Sequence, residues 1–257
     1  MDLEIKGRIA LIAGASDGIG RASAIALARE GVHLALCARS EDQLQELAEE
    51  ARACGVKVFC RRVDATKLEE VNAMIEETSR ELGEVDIFVN SIGGGYMIGP
   101  LAVVQDEHLA GGFDINVLSG ARFARALIPG MQERKWGRIV FVSSIGGMQV
   151  SPAPANNLLE YGTAKAALIA LTKYASEHVA SDNVLVNCIC PGPILTPRVW
   201  GGYPEDVVRE RAAMVPMKRL GRPDEVADLV LFLSSERCSF ITGAAMVIDG
   251  GQSRAIP

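Results

Sequence analysis

The sequence has little of what nucleic-acid-binding and membrane proteins depend on. It has no basic runs with interleaved aromatic residues, only 5% of its 257 residues are aromatic, and its formal net charge is −6. No apolar run reaches the roughly 18 residues that a helix needs to cross a bilayer. These absences argue against nucleic acid and membranes as partners, and any phosphate must therefore be held by a local site.

Histidines and paired cysteines are also scarce. The sequence holds three histidines, and no two of them have the spacing of metal ligands. Its six cysteines lack the paired spacing of a zinc site, and no signal peptide is recognised before them; they are Cys37, Cys54, Cys60, Cys188, Cys190 and Cys238. We therefore expect reduced thiols, no bound metal and a cytoplasmic protein.

Hydrophobic residues make up 49% of the sequence, which is ample for a buried core. Short apolar runs predict strands at 9–13, 32–38, 56–63, 85–90, 138–143, 184–189 and 245–248, and helical periodicity predicts helices at 21–30, 41–54, 68–82, 113–134, 158–179 and 226–234. Strands without polar alternation are typical of parallel sheets with helices on both faces. We therefore predict an α/β fold, a doubly wound (Rossmann) sheet of seven parallel strands in a single domain over residues 1–257.

The first predicted strand leads into Gly14-Ala15-Ser16-Asp17-Gly18-Ile19-Gly20, the glycine loop, and then into a helix. Glycine lets a backbone turn with positive φ and approach a ligand closely. The N–H groups and the positive dipole end of the following helix favour a phosphate. The spacing is G-x3-G-x-G and not G-x-G-x-x-G, and such a turn also occurs as a plain strand-to-helix connection. We interpret the loop as a dinucleotide site.

Tyr161 and Lys165 are four residues apart at the start of a predicted helix, so the phenol and the ammonium share one helical face. A phenol with a pKa near 10 is a poor acid–base group at neutral pH. A cation at about 4 Å contributes about 4 kcal/mol at an effective dielectric of about 20, which predicts a lowered pKa for Tyr161. Tyr161 could then protonate a carbonyl oxygen or deprotonate an alcohol. A half-buried tyrosine beside a solvated lysine would give the same pattern, so other motifs must decide.

Those motifs occur along nearly the whole chain, which resembles the short-chain dehydrogenase/reductase family. The resemblance rests on the glycine loop, Asn90-Ser91-Ile92-Gly93, Asp114-Ile115-Asn116-Val117, Ser143-Ser144, Tyr161 with Lys165, Pro191-Gly192-Pro193-Ile194-Leu195-Thr196 and Asp249-Gly250-Gly251. It implies hydride transfer between a nicotinamide cofactor and a ketone or aldehyde and its alcohol.

The resemblance also implies a role for each catalytic residue. By position, Tyr161 is expected to be the acid/base and Ser144 the hydroxyl that orients the substrate oxygen, with Ser143 as the alternative to Ser144. Lys165 is expected to hold the nicotinamide ribose and to lower the pKa of Tyr161. Asn116 is expected to anchor a water in the proton relay.

A cofactor site along the carboxyl edge of the sheet follows from the same resemblance. Its expected residues are Gly14, Ser16, Asp17, Gly18, Ile19, Gly20, Arg39, Ser40, Asp64, Ala65, Asn90, Gly93, Tyr161, Lys165, Pro191, Gly192, Ile194 and Thr196. Arg39 and Ser40 follow the second strand, and no carboxylate occurs there before Glu41. Because a guanidinium attracts a 2′-phosphate that a carboxylate would repel, we expect NADP(H). NAD(H) stays the alternative, since Asp17 stands where many NADP-preferring relatives have a basic residue.

Two segments are expected to shape the substrate pocket. Residues 197–219 carry Trp200, Tyr203, Met214 and Met217 and predict an apolar lid, so we expect a small apolar carbonyl substrate. Ser144 and Tyr161 are 17 residues apart, more than is common in the family, and we expect the loop around Pro152 to form a pocket wall.

Two alternatives remain open for function. One is a 3-oxoacyl-carrier-protein reductase, and the other is a non-catalytic NADP(H)-binding sensor or interaction module. The family resemblance also implies a homotetramer assembled through the helices near Phe113 and Leu158 and the last strand.

Overall fold

A computed structural model describes residues 2–95, 99–150 and 159–254. The strands are β1 (Ile9–Ala13), β2 (His33–Ala38), β3 (Val58–Arg62), β4 (Ile87–Asn90), β5 (Gly137–Val142), β6 (Val184–Pro191) and β7 (Ala245–Ile248). The α-helices are α1 (Gly18–Arg29), α2 (Glu41–Arg52), α3 (Leu68–Glu81), α4 (Asp106–Phe113), α5 (Ser119–Glu133), α6 (Leu159–Val179), α7 (Pro197–Trp200), α8 (Glu205–Ala213) and α9 (Pro223–Leu233). A π-helical turn (Asp114–Leu118) joins α4 to α5, and 3₁₀ turns occur at Ile145–Gly147, Ala180–Asp182 and Glu236–Cys238.

The sheet has seven parallel strands in the order β3-β2-β1-β4-β5-β6-β7. In register, Ala10 of β1 lies between Leu34 of β2 and Ile87 of β4. The direction of winding reverses between β1 and β4, so the loops after these two strands diverge and leave a crevice at the carboxyl edge. The topology confirms the predicted fold class and places the glycine loop at that crevice.

Helices cover both faces of the sheet, and the central strands are therefore buried. Every residue of β1, β4, β5 and β6 is buried. Apolar residues of α1, α2 and α9 pack on one face, and those of α3, α5 and α6 pack on the other. Phe88 lies at the centre of the second layer, with ring centroids 5.4 Å from Phe123 and 6.3 Å from Phe141. Each such fully buried side chain stabilises the fold by about 1.5–3 kcal/mol.

Most predicted elements are present, with shifts at their ends. The strand predicted at 184–189 continues to Pro191, because residues 188–191 pair in register with β7. The strand predicted at 56–63 is shorter, and so is the one predicted at 85–90. The helix predicted at 226–234 begins at Pro223, where the fixed φ of proline suits the first helical turn. The start of the helix predicted at 158 and the loop around Pro152 lie outside the described residues.

The helix predicted at 113–134 differs more from the structure. It begins earlier, at Asp106, and a π-helical turn interrupts it at Asp114–Leu118. Inside that turn, Asn116 Nδ2 donates to Gly112 O at 2.8 Å and to Gly94 O at 2.8 Å. A π turn inserts one extra residue and re-aims a side chain, and such turns are frequent at functional sites. Here the turn directs Asn116 to the loop that follows β4.

Candidate active site

The glycine loop is built by close backbone contacts. Gly14 has φ +81°, and a Cβ there would lie 2.9 Å from the backbone N of Ile92. A Cβ on Gly20 would lie 2.1 Å from Gly14 O. The loop therefore packs on itself and on the segment after β4, and only glycine fits at these two positions. Asp17 caps α1, with its Oδ1 accepting from Gly18 N at 2.7 Å.

The segment after β6 closes the other side of the crevice. Gly192 N donates to Ile248 O at 2.9 Å, and Ile194 forms a bridge with Gly221. A Cβ on Gly18 would lie 3.0 Å from Thr196 Cγ2, so Thr196 contacts the start of α1. The glycine loop and the 191–196 segment therefore face one another, as their proposed roles in cofactor binding require.

The predicted adenosine end lies at the carboxyl ends of β2 and β3. Arg39 and Ser40 are exposed, and the hydroxyl of Ser40 makes no capping bond to α2. Asp64 Oδ1 accepts from Thr66 Oγ1 at 2.7 Å and from Thr66 N at 3.1 Å. These bonds, with smaller help from Lys67 and Arg39, lower the pKa of Asp64 and keep it ionised.

Arg122 of α5 is a contact that the sequence analysis missed. Its Nη1 donates to Ala65 O at 3.1 Å and its Nη2 pairs with Asp114 at 2.5 Å. It thus ties the loop after β3 to the π turn. In the sequence, an arginine inside the helix predicted at 113–134 gave no indication of this role.

Gly93 lies against two other predicted site residues, Lys165 and Asn116. A Cβ on Gly93 would lie 2.8 Å from Lys165 Nζ and 3.0 Å from Asn116 Oδ1. Asn116 is fully buried, and its Oδ1 also accepts from Gly94 N at 3.1 Å. The side chain of Asn116 therefore holds the 93–94 backbone, and a water in a proton relay would have to use its main chain.

Asn90 is one of the expected cofactor-site residues, and its side chain is turned toward α5. Its side chain is fully buried, and a Cβ on Gly120 of α5 would lie 2.4 Å from its Nδ2. Its Nδ2 and Oδ1 have no hydrogen-bond partner within the part of the chain that the structure describes. The side chain thus points at α5, and a contact with the cofactor would come from its backbone.

Tyr161 and Ser144 form the polar centre of the crevice. Ser144 Oγ accepts from Gly146 N at 3.0 Å, which leaves its own hydrogen for another acceptor, and the Ser144 side chain hydrogen-bonds Tyr161. A Cβ on Gly146 would lie 3.8 Å from Tyr161 Cε1, so the 3₁₀ turn after β5 packs directly against the phenol ring. The two hydroxyls can therefore act on one substrate oxygen.

Ser143 has a different environment, which favours Ser144 as the substrate-facing hydroxyl. Ser143 is buried, and its Oγ donates to Lys165 O at 2.9 Å inside α6. Cys190 also contacts Ser143 from β6 and lies close to Tyr161 and Lys165. A hydrogen bond between the thiols of Cys188 and Cys190, together with burial, raises the pKa of Cys188.

The electrostatics of Tyr161 differ from the prediction that Lys165 lowers its pKa. Burial raises the pKa of Tyr161, and the hydrogen bond with Ser144 offsets part of that effect. Lys165 Nζ donates to Val142 O at 2.8 Å and lies 5.5 Å from the centroid of the Tyr161 ring. Burial also lowers the pKa of Lys165 to about 8. The charge of Lys165 is thus held against the carboxyl end of β5, and desolvation dominates at Tyr161.

The segment predicted as a lid, residues 197–219, is helical in part. It contains α7 and α8, and Trp200 Nε1 donates to Ile194 O at 2.8 Å. Tyr203, Met214 and Met217 are exposed, whereas Val215 is buried. Arg219 forms a two-bond ion pair with Glu225 of α9 at 2.8 and 2.6 Å, which fixes the end of the segment.

A dinucleotide fits these residues. The glycine loop offers N–H groups and a cradle that any Cβ would fill, the exposed Arg39 suits a phosphate, and Lys165 Nζ faces the crevice beside Gly93. None of the described helices is both long and apolar enough to pass through a membrane.

Comparisons with known proteins agree with this geometry. A family model described as "Enoyl-(Acyl carrier protein) reductase" matches residues 14–253. Oxidoreductase UcpA of Salmonella typhimurium is 35% identical over 257 residues, covering 97% of this chain and 96% of that protein. The 3-oxoacyl-[acyl-carrier-protein] reductase FabG of Thermotoga maritima is 30% identical over 250 residues, covering 97% and 99%. L-sorbose reductase from Gluconobacter frateurii, solved in complex with NADPH and L-sorbose, superposes with a TM-score of 0.91 at 35% identity over 100% of both chains.

Proposed function

The chain belongs to the short-chain dehydrogenase/reductase family and is an oxidoreductase, and from this premise we propose that it is an NADP(H)-dependent carbonyl reductase with Tyr161 as its acid. The observation that carries the proposal is the placement of Ser144, Tyr161 and Lys165 at one point of the crevice, facing the glycine loop across Gly93. The bound cofactor would supply the hydride.

The residues of the chain would supply the proton and its orientation. Because burial raises the pKa of Tyr161, its hydroxyl is protonated at neutral pH, which is the form that donates a proton to a carbonyl oxygen. Ser144, whose Oγ already accepts from Gly146 N, donates its hydrogen bond to the same oxygen and stabilises the charge that develops there. Lys165 keeps most of its charge at pH 7, because its pKa is about 8, and would hold the nicotinamide ribose.

The cofactor choice is supported by two observations. Arg39 is exposed beside Ser40, whose hydroxyl makes no capping bond to α2. The sorbose reductase of similar structure binds NADPH. We infer that Arg39 and Ser40 receive the 2′-phosphate, and that residues 197–219 close over the substrate as a lid.

The proposal is tested with a panel of ketones and aldehydes, following oxidation of NADPH and of NADH by absorbance. We expect turnover of at least one carbonyl compound, with NADPH giving the higher kcat/KM. Equal or faster turnover with NADH would overturn the cofactor assignment, and no turnover with any carbonyl compound would favour the sensor alternative.

A second candidate is a 3-oxoacyl-carrier-protein reductase. It is supported by the 30% identity with the Thermotoga maritima enzyme over nearly the full length of both chains. Acetoacetyl-carrier protein in the same assay discriminates the two, since this candidate requires it to exceed small ketones in kcat/KM.

We further propose a homotetramer. Large apolar side chains are exposed on the helices and the edge strand that the family resemblance assigns to subunit contacts; they are Phe113, Leu118, Tyr174 and Val247. Burying such side chains against a second copy would stabilise the assembly by the hydrophobic effect. Light scattering at micromolar concentration would show a mass near four times the 27.4 kDa of one chain, whereas a monomer would refute this assembly.

A further inference from the structure

A cavity of about 360 Å³ opens at residues 149–150, shortly after the 3₁₀ turn that follows Ser144. Its lining consists of Gln149, Val150, Met214, Gln252 and Arg254. Gln149 N donates to Ile145 O at 3.0 Å, so Gln149 lies one turn beyond Ser144 and directly follows the turn that packs on the Tyr161 ring. At a rise of about 2 Å per residue, this places the cavity within about 10 Å of Ser144 along the chain. A substrate held by both hydroxyls could reach it with its far end.

The cavity carries hydrogen-bonding groups that the chain itself does not satisfy. Gln149 Oε1 accepts from Arg254 N at 3.0 Å, which fixes the carboxamide and leaves its NH₂ group to donate elsewhere. Gln252 Oε1 is buried, and so is Nε of Arg211, which reaches Met214 Sδ with its Nη1 at 3.9 Å. Neither buried atom has a hydrogen-bond partner among the residues that the structure describes. Buried polar groups are normally hydrogen-bonded, so the Arg211 Nε donor indicates an acceptor on a ligand, whereas Gln252 Oε1 needs a donor such as a bridging water.

Arg254 lines this cavity and Arg211 lies beside Met214 of the lining, although the whole chain has a formal net charge of −6. Neither Arg211 nor Arg254 forms an ion pair within residues 2–95, 99–150 and 159–254. The nearby carboxylate of Asp249 is already used, because its oxygens accept from Gly251 N at 2.8 Å and from Ser253 N at 2.5 Å. Arg254 is exposed and Arg211 is half-buried, so a carboxylate on a ligand can reach both guanidinium groups and pair with them.

Resting on the proposed function, we propose that this cavity binds a carboxylate at the far end of the substrate, so that the enzyme reduces oxo acids and not simple apolar ketones. Arg254 and the amide of Gln149 hold the acid group, since planar guanidinium groups bind carboxylates with two parallel bonds. Val150 and Met214 supply the apolar wall for the carbon chain between the acid and the carbonyl group. An oxo acid thus replaces the small apolar carbonyl compound that the apolar lid alone predicts as the substrate.

The test compares 5-oxohexanoate with its methyl ester in NADPH-dependent reduction, using the parent protein, Arg254→Gln and the control Arg80→Gln. Arg80 is exposed in the last turn of α3, so its replacement makes the same change of charge outside the cavity. We expect the parent to prefer the acid at least tenfold in kcat/KM. Arg254→Gln should lower that preference about tenfold through KM, because the contact binds ground state and transition state alike, and Arg80→Gln should leave it unchanged.

A binding measurement separates this inference from the proposed function. Hexanoate has no carbonyl group to reduce, and calorimetry in the presence of NADPH should show binding that Arg254→Gln weakens about tenfold and Arg80→Gln does not. If no ketone is reduced but hexanoate binds in this way, the proposed function fails and the acid site stands. If the ester is reduced as well as the acid, or if the two arginine variants behave alike in both assays, the acid site is refuted.

Discussion

Replacing Lys165 by methionine tests the energetic cost of the charge beneath the crevice. Lys165 is only 2% exposed, and burial lowers its pKa from 10.5 to about 8. A shift of this size corresponds to about 3 kcal/mol by which burial disfavours the charged form. Below pH 8 the folded protein bears this whole cost. Between pH 8 and 10.5 the unfolded chain binds more protons than the folded one, so stability rises with pH in this window.

Lys165→Met removes the titrating ammonium group and, with it, the rise of the free energy of unfolding with pH that this group causes. Between pH 7 and pH 10 we expect the free energy of unfolding of the parent to rise by about 2–3 kcal/mol relative to that of the variant. Urea unfolding followed by circular dichroism at several pH values measures it. Lys173→Met is the matched control, because Lys173 is exposed on the same helix and should show no such rise. A pH-independent difference for Lys165→Met, or an equal rise for Lys173→Met, would refute the reasoning.

Two further predictions concern the neighbouring groups. Ser144→Ala should lower kcat about 10²-fold, because it removes a hydrogen bond to the reacting oxygen. Ser143→Ala should mainly lower the free energy of unfolding, by about 1–2 kcal/mol, because it removes the buried hydrogen bond to Lys165 O. Kinetics and urea unfolding of both variants test this, and the reverse pattern would exchange their roles. Arg39→Gln should raise the KM for NADPH about tenfold and leave that for NADH within twofold, since only the 2′-phosphate meets the guanidinium; parallel changes for both cofactors would place Arg39 outside the phosphate site.

The fold was predictable because its signals are local. The apolar runs of β1, β4, β5 and β6 are buried at every residue, and such runs allow few arrangements other than a covered parallel sheet. The glycine loop was predictable for a similar reason. A backbone that packs within 3 Å of another backbone has no room for a Cβ, and this limits Gly14 to glycine.

The π turn at Asp114–Leu118 was not predictable, because its cause is not local. Asn116 is held by Gly94, which follows a different strand, and no periodicity in residues 106–133 reports that contact. The direction of the Asn90 side chain was not predictable for a related reason, because packing against Gly120 of α5 decides which way it points.

The pKa of Tyr161 shows where pattern-based electrostatics fails. The four-residue spacing predicts that the Lys165 ammonium lies near the Tyr161 phenol. It does not predict that the phenol is buried or that Lys165 Nζ donates to the carbonyl of Val142. Desolvation and hydrogen bonding depend on the tertiary structure, so their balance against a Coulomb attraction is known only once the side chains are placed. The raised pKa keeps Tyr161 protonated at neutral pH but makes it a weaker acid, so the bound substrate and cofactor have to offset that effect during proton transfer.

The most direct test of the central claim is Tyr161→Phe, measured for both NADPH binding and NADPH-dependent carbonyl reduction. The change removes one oxygen from a half-buried ring and leaves the glycine loop and Lys165 in place. We predict a dissociation constant for NADPH within about twofold of the parent and a kcat lower by about 10³-fold, as expected for loss of a positioned acid. A variant that retains most of its turnover would contradict the assignment of Tyr161 as the proton donor.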